Sequence, residues 1–300
     1  MNGFININKP AGMSSAAVVG KLKRLTGEKR VGHAGTLDLE AAGVLPIMLG
    51  RATRLFDYLV DKEKEYETVC AFGTATDTQD AAGQIIAEGK DYPTREKLAE
   101  MLPRLTGDII QRPSVYSAIK LGGRPLYSLA RKGESPEVPE RTVRVERIEI
   151  LGEEADHGFR LRILCGKGTY IRSICDDLGK LCGCPAHMRS LIRRKSGIFT
   201  LEQALTPEEA AGLAEEGTLR NHLIPLDLPI QHLKRMEAPE SLRKKVAAGA
   251  RLPLSQMEGI PPEEGGVTRI YLAGEFWGIA ERKEDALAWR VQISPENTDR

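Results

Sequence analysis

Apolar residues recur along this chain with two different periods, and the periods separate helices from strands. Between Ser14 and Gly27, the side chains of Val18, Leu22 and Leu25 fall on one helical face. Ser14 or Ser15 supplies the oxygen that caps the first turn, and Gly27 the left-handed stop. Thr94 opens a second helix carrying Leu98, Met101, Leu102 and Leu105, and a third runs from Ser173 to Gly183. Thr206-Pro207-Glu208-Glu209 is the strongest start, combining an N-cap, a proline at the first helical position and a capping-box glutamate.

Elsewhere the period is two. Phe159, Leu161, Ile163 and Cys165 alternate with Arg160, Arg162 and Leu164, as in a strand with one buried face. Val143 and Val145 are followed by Ile148 and Ile150, so the alternation slips by one residue, which a β-bulge near Glu146 explains. Strands and helices do not alternate regularly. The pattern predicts an α+β fold with a mixed, mainly antiparallel sheet and flanking helices. Pro225, Pro229 and Pro239 mark a boundary, beyond which the tail has strands of its own at Thr268 to Leu272, Glu275 to Ala280 and Trp289 to Ile293. A chain of 300 residues exceeds the usual single core, so the division expected is 1–232 and a small β-rich unit at 233–300.

Composition narrows the class without naming a function. Hydrophobic content of 41% and charged content of 28% are those of a soluble globular protein. The N-terminus has no basic stretch followed by an apolar one, and runs such as Gly43 to Gly50 are too short to cross a bilayer, so a cytoplasmic protein without membrane contact is expected. Five cysteines then read as reduced thiols. Cys175, Cys182, Cys184 and His187 do not have a common zinc spacing, and no metal is expected.

Charge adds a partner. The net charge is only +1, yet residues 157–200 carry nine Lys or Arg against Asp176 and Asp177. Such segregation suggests a face for a polyanion. A second basic stretch, with Gly122, Gly123, Arg124, Arg131 and Lys132, reads as a mobile loop at about 113–140.

The candidate chemistry centres on Asp38. It stands in Gly32-His33-Ala34-Gly35-Thr36-Leu37-Asp38, followed by Leu39-Glu40-Ala41-Ala42-Gly43-Val44-Leu45-Pro46. A carboxylate in so apolar a stretch needs a cation, and this is the profile of a nucleophile or general base. The plainer alternative is a cap for a helix starting near Leu39.

This window resembles the catalytic segment of the TruB family, bacterial synthases that isomerise a uridine in the tRNA T-loop to pseudouridine. The family pattern is Gly-His-Thr-Gly-Thr-Leu-Asp-Pro, a small residue, Gly and Val-Leu-Pro. Ala34 and Leu39 depart from it, standing where the family has Thr and Pro. Four more segments resemble the family in the same order: Asn8-Lys9-Pro10 with Gly12, Lys64-Glu65-Tyr66, Pro113 with Tyr116 to Lys120, and Gly168-Thr169-Tyr170-Ile171-Arg172-Ser173. The tail hairpin resembles the family's C-terminal PUA-like RNA-binding module.

The resemblance implies a pseudouridine-synthase fold at 1–232 and modification of uridine 55, flipped out of the T-loop. Asp38 would be the nucleophile, held ionised by Arg172, and Tyr66 would stack on the base and take part in proton removal. Tyr170 would pack across the pocket or fix Asp38. His33 would fill the stack left by an extruded base. Lys9 would support the loop or contact phosphate, Lys120 would do likewise alongside Arg193, Arg194 and Lys195, and Leu191 would line the pocket. Isomerisation needs no redox step or group carrier, so no cofactor is implied. A monomer acting on the tRNA T-arm without an obligatory protein partner is expected. The residues taken singly allow plainer roles: Arg172 as a phosphate contact, the tyrosines as ordinary buried strand residues, His33 as a solvated loop side chain. At the level of the whole protein, a related synthase for another RNA and a catalytically silent tRNA-binding or tRNA-folding protein stay open.

Overall fold

The computed structural model describes residues 1–59, 63–117, 120–121, 123–126 and 138–293. One large sheet organises the first 200 residues. Its strands lie in the order Gly3–Lys9, Ala42–Leu49, Ala186–Ser196, Lys64–Phe72, Gly158–Cys165, Arg141–Glu154 and Gly107–Gln111. All neighbours are antiparallel except one, the parallel contact of Ile192 and Arg193 with Ala42 and Gly43. The sheet is thus mixed and mainly antiparallel, as the pattern predicts. The slip after Val145 is a register shift between Val145 and Arg147, and a second one follows between Ile150 and Gly152.

The helices lie where their caps place them. Ser14 caps Ser15–Thr26 by accepting from the Ala17 N–H, and Gly27 closes it in the left-handed conformation at φ 67°. Thr94 caps Arg95–Met101, and Thr206 with Glu209 forms a complete capping box on Pro207–Glu215. The helix Ile171–Cys182 begins two residues earlier than its sequence pattern suggests, which puts Arg172 in its first turn.

Both faces of the large sheet are covered. Ile5, Ile7, Leu45 and Ile163 face one way, toward Val18 and Leu22 of the first helix and Ile174 and Leu178 of the helix that carries Arg172. Phe4, Val44, Met48 and Leu55 face the other, where they share a core with Ile279, Val291 and Ile293 of the tail. The tail's own sheet runs Leu252–Pro253, Ala286–Gln292, Glu275–Lys283, Val267–Leu272, Lys234–Ala238, Glu258–Gly259. Its last strand starts at Ala286 rather than near Trp289, because the hairpin turns at Glu284, where φ is 57°. The tail has a core of its own around Ile270, Leu272 and Trp277, and it also packs behind Val44 and Met48 on the strand that follows the Asp38 loop.

Candidate active site

No helix begins at Leu39. Asp38, Leu39 and Glu40 make a turn closed by the Ala41 N–H on the Asp38 carbonyl at 3.2 Å, and the next element is the Ala42–Leu49 strand. Asp38 consequently caps nothing. Its carboxylate is also not buried: the side chain is 44% exposed, opening into a cleft, whereas the apolar surroundings in sequence suggest the opposite. The apolar neighbours Leu37, Val44 and Leu45 turn into the cores instead.

The expected cation is in place. Arg172, 5% exposed, meets Asp38 with Nε 3.0 Å from Oδ2 and Nη2 3.5 Å from Oδ1. The rest of the guanidinium is occupied: Nη1 donates to the Thr78 carbonyl at 3.1 Å, Nη2 donates to the Tyr116 carbonyl at 3.1 Å, and Asp80 Oδ2 lies 3.5 Å from Nη1. Five N–H donors in a rigid plane can satisfy such a set, and a lysine cannot. A phosphate contact has no room on this side chain.

Asp80 is a member of the site that the sequence pattern does not single out. It is held by the Thr78 hydroxyl at 2.6 Å and the Ala82 N–H at 3.1 Å, both on its Oδ1. Next to it Gln79 adopts φ 64° and reaches the helix of Arg172, accepting from the Ser173 hydroxyl at 3.0 Å and donating to Asp176 at 3.1 Å. The cluster of Asp, Thr and Gln between Gly73 and Gly83 is the only sequence signal for this strap, and it reads locally as a turn.

Three buried groups hold the backbone of the Asp38 loop. The Ser15 hydroxyl bonds both the N–H and the carbonyl of Leu37 at 3.0 Å, which explains why Ser14 is the helix cap. Lys9, fully buried, donates to the carbonyls of Pro10, Met13 and Leu39 at 2.9, 2.6 and 3.1 Å. Arg193, 1% exposed, donates to Val44 at 2.7 Å, Gly35 at 3.0 Å and Thr36 at 3.4 Å. Gly43 allows this: at φ 105° a Cβ there would lie 2.3 Å from the Arg193 carbonyl oxygen. Of the two roles open to Lys9 and Arg193, loop support and phosphate contact, both side chains take loop support, since neither reaches the surface.

Burial lowers the Lys9 ammonium to about 8, against the opposing pull of Glu40 and Asp38. A neutral amine has two donors for three carbonyls, so turnover should fall as pH rises through about 8, and Lys9→Met should be slow and show no such step. Loss of fold does not account for the fall. The folded value lies below the unfolded one, so the unfolded chain binds more protons between about 8 and 10.5 and the Lys9 contribution to stability rises there. A pH profile of single-turnover rates beside thermal melts at each pH checks both halves.

The aromatic residues come from separate elements. Tyr66, 7% exposed, sits on Lys64–Phe72 between Ile163 and Arg193 of the adjacent strands. Burial raises its phenol above the usual range while the Arg193 guanidinium pulls it back, so the hydroxyl stays protonated at neutral pH. Tyr170 is the half-buried N-cap residue of Ile171–Cys182, with the Arg141 guanidinium 5.4 Å from its ring centre. Both tyrosines, with Thr36, Asp38, Arg172 and Leu191, line a cleft of about 300 Å³. Tyr66→Phe should preserve RNA affinity within about threefold, because the ring is kept, and lower the turnover rate at least about thirtyfold if the hydroxyl handles a proton. Equal rates for the two proteins would leave Tyr66 a stacking surface only.

His33 ends the Val31–His33 strand, half-buried and outside the cleft lining. Burial, aided by Arg193, lowers its imidazole, so the ring is neutral at pH 7. Lys120 lies on a two-residue strand paired with Arg124–Pro125; its side chain and residues 118, 119, 122 and 127–137 of the basic loop are outside the described residues.

Part of the charge surplus at 157–200 is ion-paired at the surface, and part is buried. Arg162 pairs with Glu65 and Glu67, Arg194 with Glu67 and Glu202, Arg160 with Glu154, and Lys180 with Asp176 and Asp177. Arg172 and Arg193 are buried. The polyanion face expected of this stretch is correspondingly reduced.

Comparison with known proteins gives the arrangement a family. Residues 23–171 match the model of the TruB family pseudouridylate synthase N-terminal domain, and 172–231 that of the tRNA pseudouridylate synthase B C-terminal domain. The second segment supplies Ala186–Ser196, so the two matched segments build one sheet. The chain is 42% identical over 260 residues to a tRNA pseudouridine synthase B of Bacillus pumilus, covering 85% of this chain and 84% of that protein. It is 40% identical over 287 residues to one of Francisella philomiragia, covering 94% and 91%. Among solved structures, a Cbf5-Nop10-Gar1 complex contains a chain that superposes with a TM-score of 0.75 at 26% identity, covering 97% of this chain and 84% of that one. An H/ACA RNP bound to a substrate RNA containing 2'-deoxyuridine has the same fold at 24% identity, with a TM-score of 0.76 and coverage of 98% and 85%. With its sheet order, its matched segments and these relatives, the chain belongs to the TruB family of tRNA pseudouridine synthases.

Proposed function

We propose that this protein converts the uridine at position 55 in the T-loop of tRNA to pseudouridine, with Asp38 as nucleophile, and that it does so as a monomer without guide RNA or protein partner. The observation that carries the reading is the exposed Asp38 carboxylate, gripped by the buried Arg172 at 3.0 Å at one wall of the cleft. The carboxylate lies beside a guanidinium and faces the space a flipped nucleotide would enter. Asp38 is thereby free to attack ribose or base once the base is out of its stack. Tyr66 and Tyr170 offer flat surfaces for the uracil, and Leu191 an apolar floor. The neutral ring of His33 suits stacking within the opened RNA loop rather than a charge contact.

The test is incubation of the purified chain with an unmodified tRNA transcript, followed by mapping of pseudouridine along the RNA. Modification confined to position 55 supports the proposal. Modification elsewhere, or only when a guide RNA is added, favours the related-synthase reading, and tight binding without modification favours a tRNA-folding role.

A further inference from the structure

From the cleft geometry we infer that Arg141 binds the backbone phosphate beside the flipped-out uridine. The inference rests on the pseudouridine-synthase reading for the identity of that nucleotide. A nucleotide entering the cleft carries a phosphodiester charge, and the cleft must meet it with a donor not already in use. Arg172 and Arg193 are fully engaged with acceptors of the protein. Arg141 lines the same cleft, and its Nε lies buried without a hydrogen-bond acceptor among the described residues. A buried donor without an acceptor is costly unless a ligand or water completes it. The adjacent acid does not complete it, because Glu140 pairs with Arg112 at 2.8 Å.

The surroundings fix the orientation of this guanidinium. Arg141 pairs across the sheet with Gln111, and the Gln111 side chain clamps Tyr170 from both sides. Its Nε2 donates to the Tyr170 carbonyl at 3.2 Å, and its Oε1 accepts from the Tyr170 N–H at 3.0 Å. The Tyr170 ring is thus held beneath Arg141, 5.4 Å from the guanidinium carbon to the ring centre. Gly168, at φ 77°, runs alongside, its Cβ position at an ordinary contact distance of 3.6 Å from Arg141 Nη1. Lys64 and Lys167 line the same opening. A planar fork resting on an aromatic ring suits two-point recognition of phosphate oxygens better than a point charge.

The experiment is a binding cycle with a T-arm stem-loop RNA that carries a single neutral methylphosphonate on either side of the target uridine. Arg141→Ala should weaken binding of the unmodified stem-loop by roughly tenfold or more and lower the log–log salt slope by about 0.7. One of the two methylphosphonates should cost the wild-type protein a similar factor and cost Arg141→Ala nothing further. Arg141→Lys, which keeps the charge and loses the fork, should fall between. Penalties that simply multiply at both phosphates, in either variant, would overturn the assignment, because a residue that only props Tyr170 has no reason to respond to one phosphate. If Arg141→Ala fails to fold, the same cycle on Arg141→Lys decides. A wild-type protein that binds the stem-loop but isomerises nothing would refute the proposed function, while the binding cycle would still judge Arg141.

Discussion

Asp38→Asn is expected to reduce isomerisation below about 0.1% of the wild-type rate while leaving tRNA affinity within about tenfold. The amide has the shape of the carboxylate and none of its nucleophilicity. The fold should hardly notice, because the side chain is 44% exposed and exposed ion pairs contribute about 1 kcal/mol or less. The loop backbone is held independently by Ser15, Lys9 and Arg193. Affinity should survive because the contacts to phosphate do not involve Asp38. Rates measured with protein in excess, beside a binding isotherm and a thermal melt, separate the three quantities. Residual turnover of a few per cent would remove Asp38 as nucleophile.

The second large effect belongs to Arg172. Arg172→Met should lower the turnover rate at saturating RNA by about a thousandfold and also destabilise the fold by roughly 2–4 kcal/mol. Unlike the Asp38 variant, it takes a donor from the part-buried carbonyls of Thr78 and Tyr116 and removes the cation shared by Asp38 and Asp80. Arg172→Lys should recover much of the stability and little of the rate, since one ammonium cannot reach acceptors spread around a guanidinium plane. A rate for Arg172→Lys within about tenfold of wild type would show that charge alone suffices and that the fork geometry is incidental.

These two residues differ in how plainly the sequence announces them. Asp38 stands out because an acid among Gly, Leu and Val is locally anomalous, and the caps at Ser14, Thr94 and Thr206 are legible because a cap acts within four residues. The bulge after Val145 is legible as a slip in alternation. Arg172 as the partner of Asp38 comes from the resemblance of its segment to a known one, because the contact spans 134 residues. Asp80, Gln79 and Ser15 have no such help. Their contacts are long-range or read locally as turn chemistry, and nothing in the linear pattern ties them to Arg172 or to Leu37.

Cations are the systematic difficulty. The sequence leaves Lys9 and Arg193 between supporting the loop and contacting phosphate, and backbone carbonyls draw both inside. Counting charge along residues 157–200 overlooks Glu65, Glu67 and Glu202, which come from other parts of the chain and pair with Arg162 and Arg194. The tail, set off by a proline-marked break, has its own sheet and core. Ile279 and Val291 in addition pack into the core behind the Asp38 loop, a long-range contact the linear pattern does not show.

The most direct measurement is release of tritium from a tRNA transcript labelled at C5 of uridine, since joining C5 to the ribose expels that hydrogen. The purified wild-type chain, with no guide RNA and no other protein, should release the equivalent of one label per tRNA and then stop, and Asp38→Asn should release none. Absence of release by the wild-type protein, or release by Asp38→Asn at a comparable rate, would contradict the account.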